Sequence, residues 1–328
     1  MKFSTRIVLG LLSVSTIRCH ETVLNGVQTS EPNSGMQSSN PLNSGTEGIP
    51  LVGRDTAHTT CSGESCTPKL RSLKLTTFIN GTQESREAVL QWESRRIQIV
   101  TQKMQHHLAS WLFEELTDLV HFASENTTDI ANITQRREAL ADAKIRASDY
   151  AMRKLVYSNV FLSAAVSQLS KAFSKTWAIC EIHLVSSRGT AEGFEKWFTA
   201  KILQNDERAM LIACPDHYVF GQAYGSGQDG GSILPSHFGI NYNETANLPI
   251  ENNSSFPVRF NGAAFNDYDH VIGGNNHQLR SLEEGFEIHP KIFFPSILPN
   301  HIIAEHRWHL ACDFSNWITA YIDETGDE

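Results

Sequence analysis

The sequence lacks both a strongly basic patch and any long apolar run. It carries 27 Lys and Arg against 36 Asp and Glu, for a formal net charge of −9. An acidic chain without clustered basic residues binds the phosphate backbone poorly, so we expect no nucleic-acid partner. No apolar segment approaches the roughly 20 residues that cross a bilayer, so we expect no membrane span. The phosphate-binding loop and the nucleophile elbow of serine hydrolases are also missing, which argues against both types of site.

Aromatic residues are missing from a long segment near the amino terminus. Residues 20–77 contain no Phe, Trp or Tyr and are rich in Ser, Thr, Asn and Gly. Such a segment cannot bury enough apolar surface to offset the entropy lost on ordering, so we predict a disordered arm. Cys61 and Cys66 lie within it, and their spacing predicts a small local disulfide. A zinc site would need a second close cysteine pair, which the sequence does not have. The other cysteine pairings are left open.

The first residues have the layout of a secretory signal peptide. Lys2 and Arg6 flank the start of a short apolar run that small and polar residues follow. We therefore interpret residues 1–19 as a signal peptide that is cleaved after Ser15 or Cys19, and we predict a soluble, secreted, extracellular protein.

N-glycosylation acceptors support this localisation. Six asparagines stand two residues before Ser or Thr without an intervening proline: Asn80, Asn126, Asn132, Asn243, Asn252 and Asn253. Occupied acceptors must face solvent. Since the last two acceptors overlap, we expect one glycan between them.

Glycine and proline are absent from residues 82–188, and these are the two strongest helix breakers. Apolar residues recur there at steps of three and four, which predicts amphipathic helices over 83–124 and 131–175. A short polar turn between them would make an antiparallel hairpin spanning 78–176.

Beyond residue 176 the pattern alternates between strand and helix. Predicted strands cover 176–186, 208–222, 256–260 and 285–289, and predicted helices cover 191–204 and 300–322. The sequence is rich in glycine at 225–231 and 273–274, and the first of these stretches is interpreted as a surface loop. The predicted fold class is thus α+β, with a long N-terminal antiparallel helical hairpin packed with a small, mostly antiparallel sheet and a C-terminal helix. The α+β unit spans 177–322, and the acidic tail 323–328 is expected to fray.

The densest group of polar side chains opens the last predicted helix and comprises His301, Glu305, His306 and His309. Residues three and four apart share a helix face, so the later members could hold a metal ion. The group would need ligands from elsewhere, for example Asp216 or His289. The metal candidates are His306, His309 and His289; the alternative is an ordinary helix start with surface and core histidines.

Candidate catalytic residues are Asp216, His217 and Glu305. Asp216 and His217 are neighbours at the end of a predicted strand, where a side chain could be held for proton transfer. Adjacent strand residues point to opposite faces, so the two would pair only if Pro215 bends the chain. His183 sits in an alternating strand and could form an acid–base couple with Glu181; otherwise it is a hydrogen-bonded core residue.

Two functional hypotheses follow. The first, which the sequence favours, is a secreted, effector-like binding or interaction module for a protein or small-molecule ligand, since no complete catalytic motif is present. The second is a secreted enzyme that uses His and carboxylate acid–base chemistry or a His-bound metal. The sequence identifies no cofactor.

Overall fold

The structure is a computed structural model, and it describes residues 73–107, 114–124, 129–156, 176–221, 226–230, 236–245, 248–266 and 270–326. The predicted signal peptide, the Cys61–Cys66 disulfide and the acceptor Asn126 lie outside these residues.

Strands of the described residues build one ten-stranded sheet in which neighbouring strands are antiparallel. The strands are β1 Leu75–Ile79, β2 Thr82–Glu84, β3 Trp177–Ser186, β4 His217–Gly221, β5 Ser226–Gly230, β6 Ser236–Asn241, β7 Val258–Phe265, β8 Val271–Ser281, β9 Phe286–His289 and β10 Lys291–Pro295. Their order is β2-β1-β3-β10-β8-β7-β6-β5-β4, and β9 also pairs with β3 and β8.

Strands β9 and β10 occupy the same position between β3 and β8, one after the other. Glu287 lies opposite Val185 and Lys291 lies opposite Glu181, so a single register relates both strands to β3. Pro290 separates them because proline has no backbone N–H to donate to the ladder. Alternation therefore continues across Pro290 and places residues 287, 289 and 291 on one face of the sheet.

The helices are α1 Arg86–His107, α2 Glu114–Ser124, α3 Ile130–Ala147, α4 Ala191–Leu203, α5 Glu207–Ala213 and α6 Asn300–Thr325, and residues 149–156 are helical too. The start of α4 is set by Thr190, whose side chain accepts a hydrogen bond from the backbone N–H of Gly193. Asp206 caps α5 in the same way. None of these helices is long and apolar enough to span a membrane, among the residues described.

One hydrophobic core fills the space between the inner face of the sheet and helices α4 and α6. Phe194, Phe286 and Tyr321 are fully buried there and contact one another. A second core joins α1, α2 and α3 and includes Tyr218 and Val219 of β4. The opposite face of the sheet, here called the outer face, carries the polar side chains of β3, β8 and β9.

The predicted fold class is wrong. In place of a long helical hairpin with a small sheet, the described residues form a ten-stranded antiparallel sheet and several shorter helices. Asn80 and Gly81 both have positive φ and turn the chain from β1 into β2, where the first helix was predicted to begin. The second predicted helix is interrupted at Ser148, whose φ of 73° does not fit a right-handed helix.

The sheet is larger than predicted because the loop predicted over 225–231 contains a strand and because further segments outside the predicted strands also join the sheet. Residues 226–230 form β5, and Gly273 and Gly274 lie within β8. A Cβ on Gly273 would lie 2.5 Å from the carbonyl oxygen of Phe293, so this glycine permits the close approach of β10. Conversely, part of the strand predicted over 208–222 is helix α5, followed by β4.

Candidate functional site

Polar side chains form aligned rows across the outer face. One row runs from Phe78 through His183, and the β3–β9 register places His289 opposite His183, next to Gln278 of β8. The adjacent row contains Glu287, with Arg280 opposite it on β8. Residues directly opposite one another in an antiparallel sheet have Cβ atoms roughly 5 Å apart, so these side chains meet.

His183, Glu287 and His289 form a compact group, here called the His–Glu–His cluster. The Oε2 atom of Glu287 lies 2.7 Å from Nε2 of His183 and 3.7 Å from Nε2 of His289. The other carboxylate oxygen accepts a hydrogen bond from Nε of Arg280. The glutamate side chain is 8% exposed, whereas the histidines are 29% and 42% exposed, so the cluster opens to solvent through its imidazoles.

The rings of this cluster are held by aromatic neighbours. His183 stacks on Phe78 with ring centroids 5.3 Å apart, and His289 meets Phe256 edge to face at 4.8 Å. The two imidazole centroids are 4.1 Å apart. Arg280 lies over the ring of Phe256, so both cationic and aromatic groups support the cluster.

The surroundings of the cluster set the protonation states of its carboxylate and of one imidazole. Partial burial by itself would raise the pKa of Glu287, but hydrogen bonds from Arg280 and His183 outweigh it and lower the pKa below its usual value. Burial and the neighbouring His183 lower the pKa of His289. At neutral pH the carboxylate is therefore ionised and His289 is neutral, with a free nitrogen lone pair.

A pocket with a volume of about 380 Å³ adjoins the cluster and shares His289 with it. Its lining comes from β3, β8, β9, β10 and the segment before β7, and comprises Glu181, Glu251, Asn252, Asn253, Phe256, Gln278, His289 and Lys291. The carboxylate of Glu181 lies 3.2 Å from the ammonium group of Lys291. The pocket thus presents carboxylates, amides, an imidazole and an ammonium group to one space.

Hydrogen bonds fasten the segment before β7 to the outer face. The backbone N–H of Asn253 donates to Oε1 of Gln278, and Nε2 of Gln278 donates to the carbonyl oxygen of Glu251. Asn261 and Asn276 both donate through Nδ2 to Oδ1 of Asn252. This amide network holds one wall of the pocket in place without a ligand.

A second polar group is buried where α5, β4 and α6 meet. The sulfur of Cys214 lies 3.3 Å from Nδ1 of His309, and Nε2 of His309 lies 3.3 Å from Oδ2 of Asp313. His217 places Nε2 3.6 Å from the same carboxylate oxygen, while its Nδ1 lies 2.8 Å from the carbonyl oxygen of Met210.

This Cys–His–Asp arrangement has the connectivity of a nucleophilic centre, but not its reactivity. Cys214 is fully buried, and burial raises the pKa of its thiol well above the usual value. The thiolate, not the thiol, is the nucleophile. Burial also lowers the pKa of His309 well below its usual value, so the imidazole in contact with the sulfur is neutral and does not stabilise a thiolate. We therefore interpret the group as part of the core.

Two buried ion pairs surround the Cys–His–Asp group. Arg96 donates two hydrogen bonds to Asp216, of 2.8 and 2.7 Å. Arg137 donates through Nη2 to Glu93 at 2.8 Å. Lys144 donates to the carbonyl oxygens of Pro215 and His217, which fixes the chain as it enters β4. These contacts explain why so many charged groups are tolerated in this interior.

The structure brings some of the sequence-predicted candidates together and separates others. His217 and His309 both approach Asp313, with ring centroids 5.2 Å apart, whereas Asp216 and Glu305 have other partners. Asp216 pairs with Arg96, as described above, and Glu305 accepts a hydrogen bond from Nε1 of Trp92. Half-buried His306 stacks on buried His309 along α6, whereas His301 is exposed.

Among the metal candidates, only His289 reaches the outer face. Glu181 does share that face with His183, but it pairs with Lys291 rather than with the imidazole. Sequence reasoning missed Glu287, although the spacing Glu287-Ile288-His289 in a strand puts both polar side chains on one face. It also missed Asp313, which lies four residues after His309 on α6.

Four glycosylation acceptors are exposed, namely Asn80, Asn243, Asn252 and Asn253, whereas Asn132 is half-buried on α3. The three cysteines that the structure describes, Cys180, Cys214 and Cys312, are buried free thiols.

Comparison with known proteins does not add to this description: no family model matches the chain, and no curated protein matches it.

Proposed function

We propose that this protein is a secreted binding protein whose outer-face pocket takes a small, neutral, hydroxyl-rich ligand of the saccharide class. The observation that supports this most directly is the convergence of hydrogen-bonding groups from five parts of the chain on one open pocket of about 380 Å³. This volume lies within the range of small-molecule sites, which is about 300–1,000 Å³.

The chemistry of the lining favours hydroxyl groups over other ligand classes. The carboxylates of Glu181 and Glu251 accept hydrogen bonds, and the ammonium group of Lys291 donates them. The side-chain amides of Asn252 and Gln278 can both donate and accept. A ligand with many hydroxyls can satisfy both kinds of partner. Two carboxylates oppose a phosphate or carboxylate ligand, and the scarcity of apolar side chains opposes a lipid-like one.

The amide network supports the same proposal because it keeps the wall of the pocket in place before the ligand arrives. Gln278 and Asn276 are buried, and the side chains of Asn252 and Asn261 are tied to them. A site that needs no reordering loses less conformational entropy on binding.

Secretion and N-glycosylation remain part of the proposal. Asn252 and Asn253 line the pocket and are also acceptors, so a glycan on either would stand at its edge. Binding should therefore be compared between the protein as secreted and the same protein after enzymatic removal of its N-glycans.

Titration calorimetry with a panel of mono- and disaccharides tests the proposal. We expect saturable one-to-one binding of at least one saccharide, weakened at least tenfold by Glu181→Gln, which removes a charged acceptor. Glu283→Gln, in the exposed turn between β8 and β9, is the matched control and should bind like the unmodified protein. Absence of binding across the panel, with and without N-glycans, or equal loss in both variants would refute the proposal.

A secreted enzyme is the second candidate, and the location of the His–Glu–His cluster beside the pocket favours it. Neutral His289 and ionised Glu287 are groups of the kind used for proton transfer. Chromatography of a bound disaccharide after long incubation tests this candidate. Conversion that His289→Gln abolishes would support it, and an unchanged disaccharide would contradict it.

A further inference from the structure

The geometry points to a binding site for a divalent transition-metal ion, of which zinc fits best, at His183, Glu287 and His289. Each residue offers one ligand atom, and the three atoms lie within 4.8 Å of one another. They come from two neighbouring strands, β3 and β9, whose register brings the side chains together on the outer face. Rigid strands are suitable supports for a metal site because they restrict ligand movement.

The two distances from the carboxylate are close to those of tetrahedral coordination. Zinc lies about 2.0–2.2 Å from nitrogen and oxygen ligands, so two ligands of a tetrahedral site are roughly 3.3 Å apart. The observed separations from Glu287 Oε2 are 2.7 Å to His183 and 3.7 Å to His289, on either side of that value. Small side-chain rotations that move the ligand atoms by a few tenths of an ångström would bring both separations close to the required value.

The groups around the cluster act as outer supports of the kind that metal ligands need. Arg280 donates to Oε1 of Glu287, which leaves Oε2 directed between the imidazoles. Ligating carboxylates are commonly held by such a hydrogen bond. Phe78 and Phe256 restrain the rings of His183 and His289. Because the imidazoles are partly exposed, an ion can reach them from solvent.

The ligand set also selects the type of metal. Two imidazole nitrogens and one carboxylate oxygen suit zinc and its neighbours, whereas calcium and magnesium prefer sites made of oxygen atoms. Three protein ligands leave one position of a tetrahedral zinc for water or another small ligand. The alternative group, Cys214, His309 and Asp313, is fully buried and gives an ion no entry from solvent.

Titration calorimetry of the full secreted protein with zinc chloride tests the inference, and the metal alone is the probe. We expect one zinc per chain, with affinity lowered at least tenfold by His183→Gln or His289→Gln. His301→Gln is the matched control, because His301 is an exposed histidine at the start of α6, and it should bind zinc normally. Circular dichroism of each variant in chelator verifies that the fold persists; both exchanged histidines are partly exposed, so we expect unchanged spectra.

Cobalt substitution locates the metal independently. Cobalt held by nitrogen and oxygen ligands should show weak visible bands without thiolate-to-cobalt charge transfer, whereas charge transfer would place the metal at a cysteine and overturn the assignment. Absence of zinc binding tighter than about 1 mM, or binding that persists when His183 and His289 are both exchanged, would also overturn it. Saccharide binding should also be measured in chelator, because the proposed saccharide site does not require the metal. The saccharide proposal and the metal proposal can then fail independently of each other.

Discussion

Acidification should destabilise this protein through His277, a buried histidine on the inner face of β8. Its ring meets Phe314 edge to face with centroids 5.1 Å apart, and its Nδ1 accepts a hydrogen bond of 3.1 Å from the backbone N–H of Lys291. Burial lowers the pKa of His277 from 6.5 to about 3. A proton on Nδ1 would also end the hydrogen bond from Lys291, so the native state requires the neutral ring.

The sign and size of the effect follow from proton linkage. Above about pH 6.5 the imidazole is neutral in both states, and it affects the free energy of unfolding little. As the pH falls from about 6.5 towards about 3, the unfolded chain takes up a proton that the native protein does not, and stability is lost. At about pH 5 the loss from this one residue is roughly 2 kcal/mol relative to neutral pH.

Urea unfolding of wild type and His277→Gln at about pH 7.5 and about pH 5 measures this contribution. Glutamine retains an acceptor but does not titrate, so the stability difference between the two proteins should shift by about 2 kcal/mol in favour of the variant at the lower pH. The comparison cancels the other titrating groups, including His217, whose raised pKa acts in the opposite direction. The exposed His301→Gln variant should show no such shift. A difference that is the same at both pH values would refute the reasoning.

Three further predictions concern the interior and one turn. Glu93→Gln leaves the buried guanidinium of Arg137 without its carboxylate. It should lower the free energy of unfolding, measured by urea titration, by about 3–5 kcal/mol. A loss below about 1 kcal/mol would contradict the buried ion pair. Gly285→Ala should destabilise by more than about 1 kcal/mol in thermal unfolding, because Gly285 has φ +76° and a Cβ would lie 1.9 Å from the carbonyl oxygen of Ser186; Gly221→Ala, where no atom lies within 4 Å, is the control. The three cysteines that the structure describes should resist Ellman's reagent until denaturant is added, since burial raises their pKa values; rapid labelling of any one, mapped by mass spectrometry, would show that it is accessible.

Local chemistry allowed some elements to be located from the sequence. The helix predicted over 191–204 is α4, which begins directly after its cap Thr190. The alternation of residues 176–186 is that of β3, and the helix predicted over 300–322 is α6, which extends to Thr325. These signals act between residues close in the chain, so neighbouring residues suffice to interpret them.

The long helical hairpin was predicted from the same kind of signal and was wrong. Absence of glycine and proline removes obstacles to a helix, but it does not require one continuous helix. The positive φ of Ser148 interrupts the predicted helix, and no residue nearby in the sequence indicated this backbone conformation. The glycine-rich strand β5 is the reverse case, since its place depends on ladders to β4 and β6 rather than on its own residues.

Sequence alone determined the candidate glycosylation acceptors, the acidic balance, the alternating polar face of β3 and the start of α4, because each depends on residues within a few positions of one another. Only the tertiary structure located the His–Glu–His cluster. His183 and Glu287 are 104 residues apart, and only the pairing of β3 with β9 brings them within 2.7 Å. Strand pairing between distant segments is set by the packing of the whole sheet, and only that packing brings His183 to Glu287 and His289. Of the histidines expected to cluster on α6, His309 is buried, His306 is half-buried and His301 is exposed.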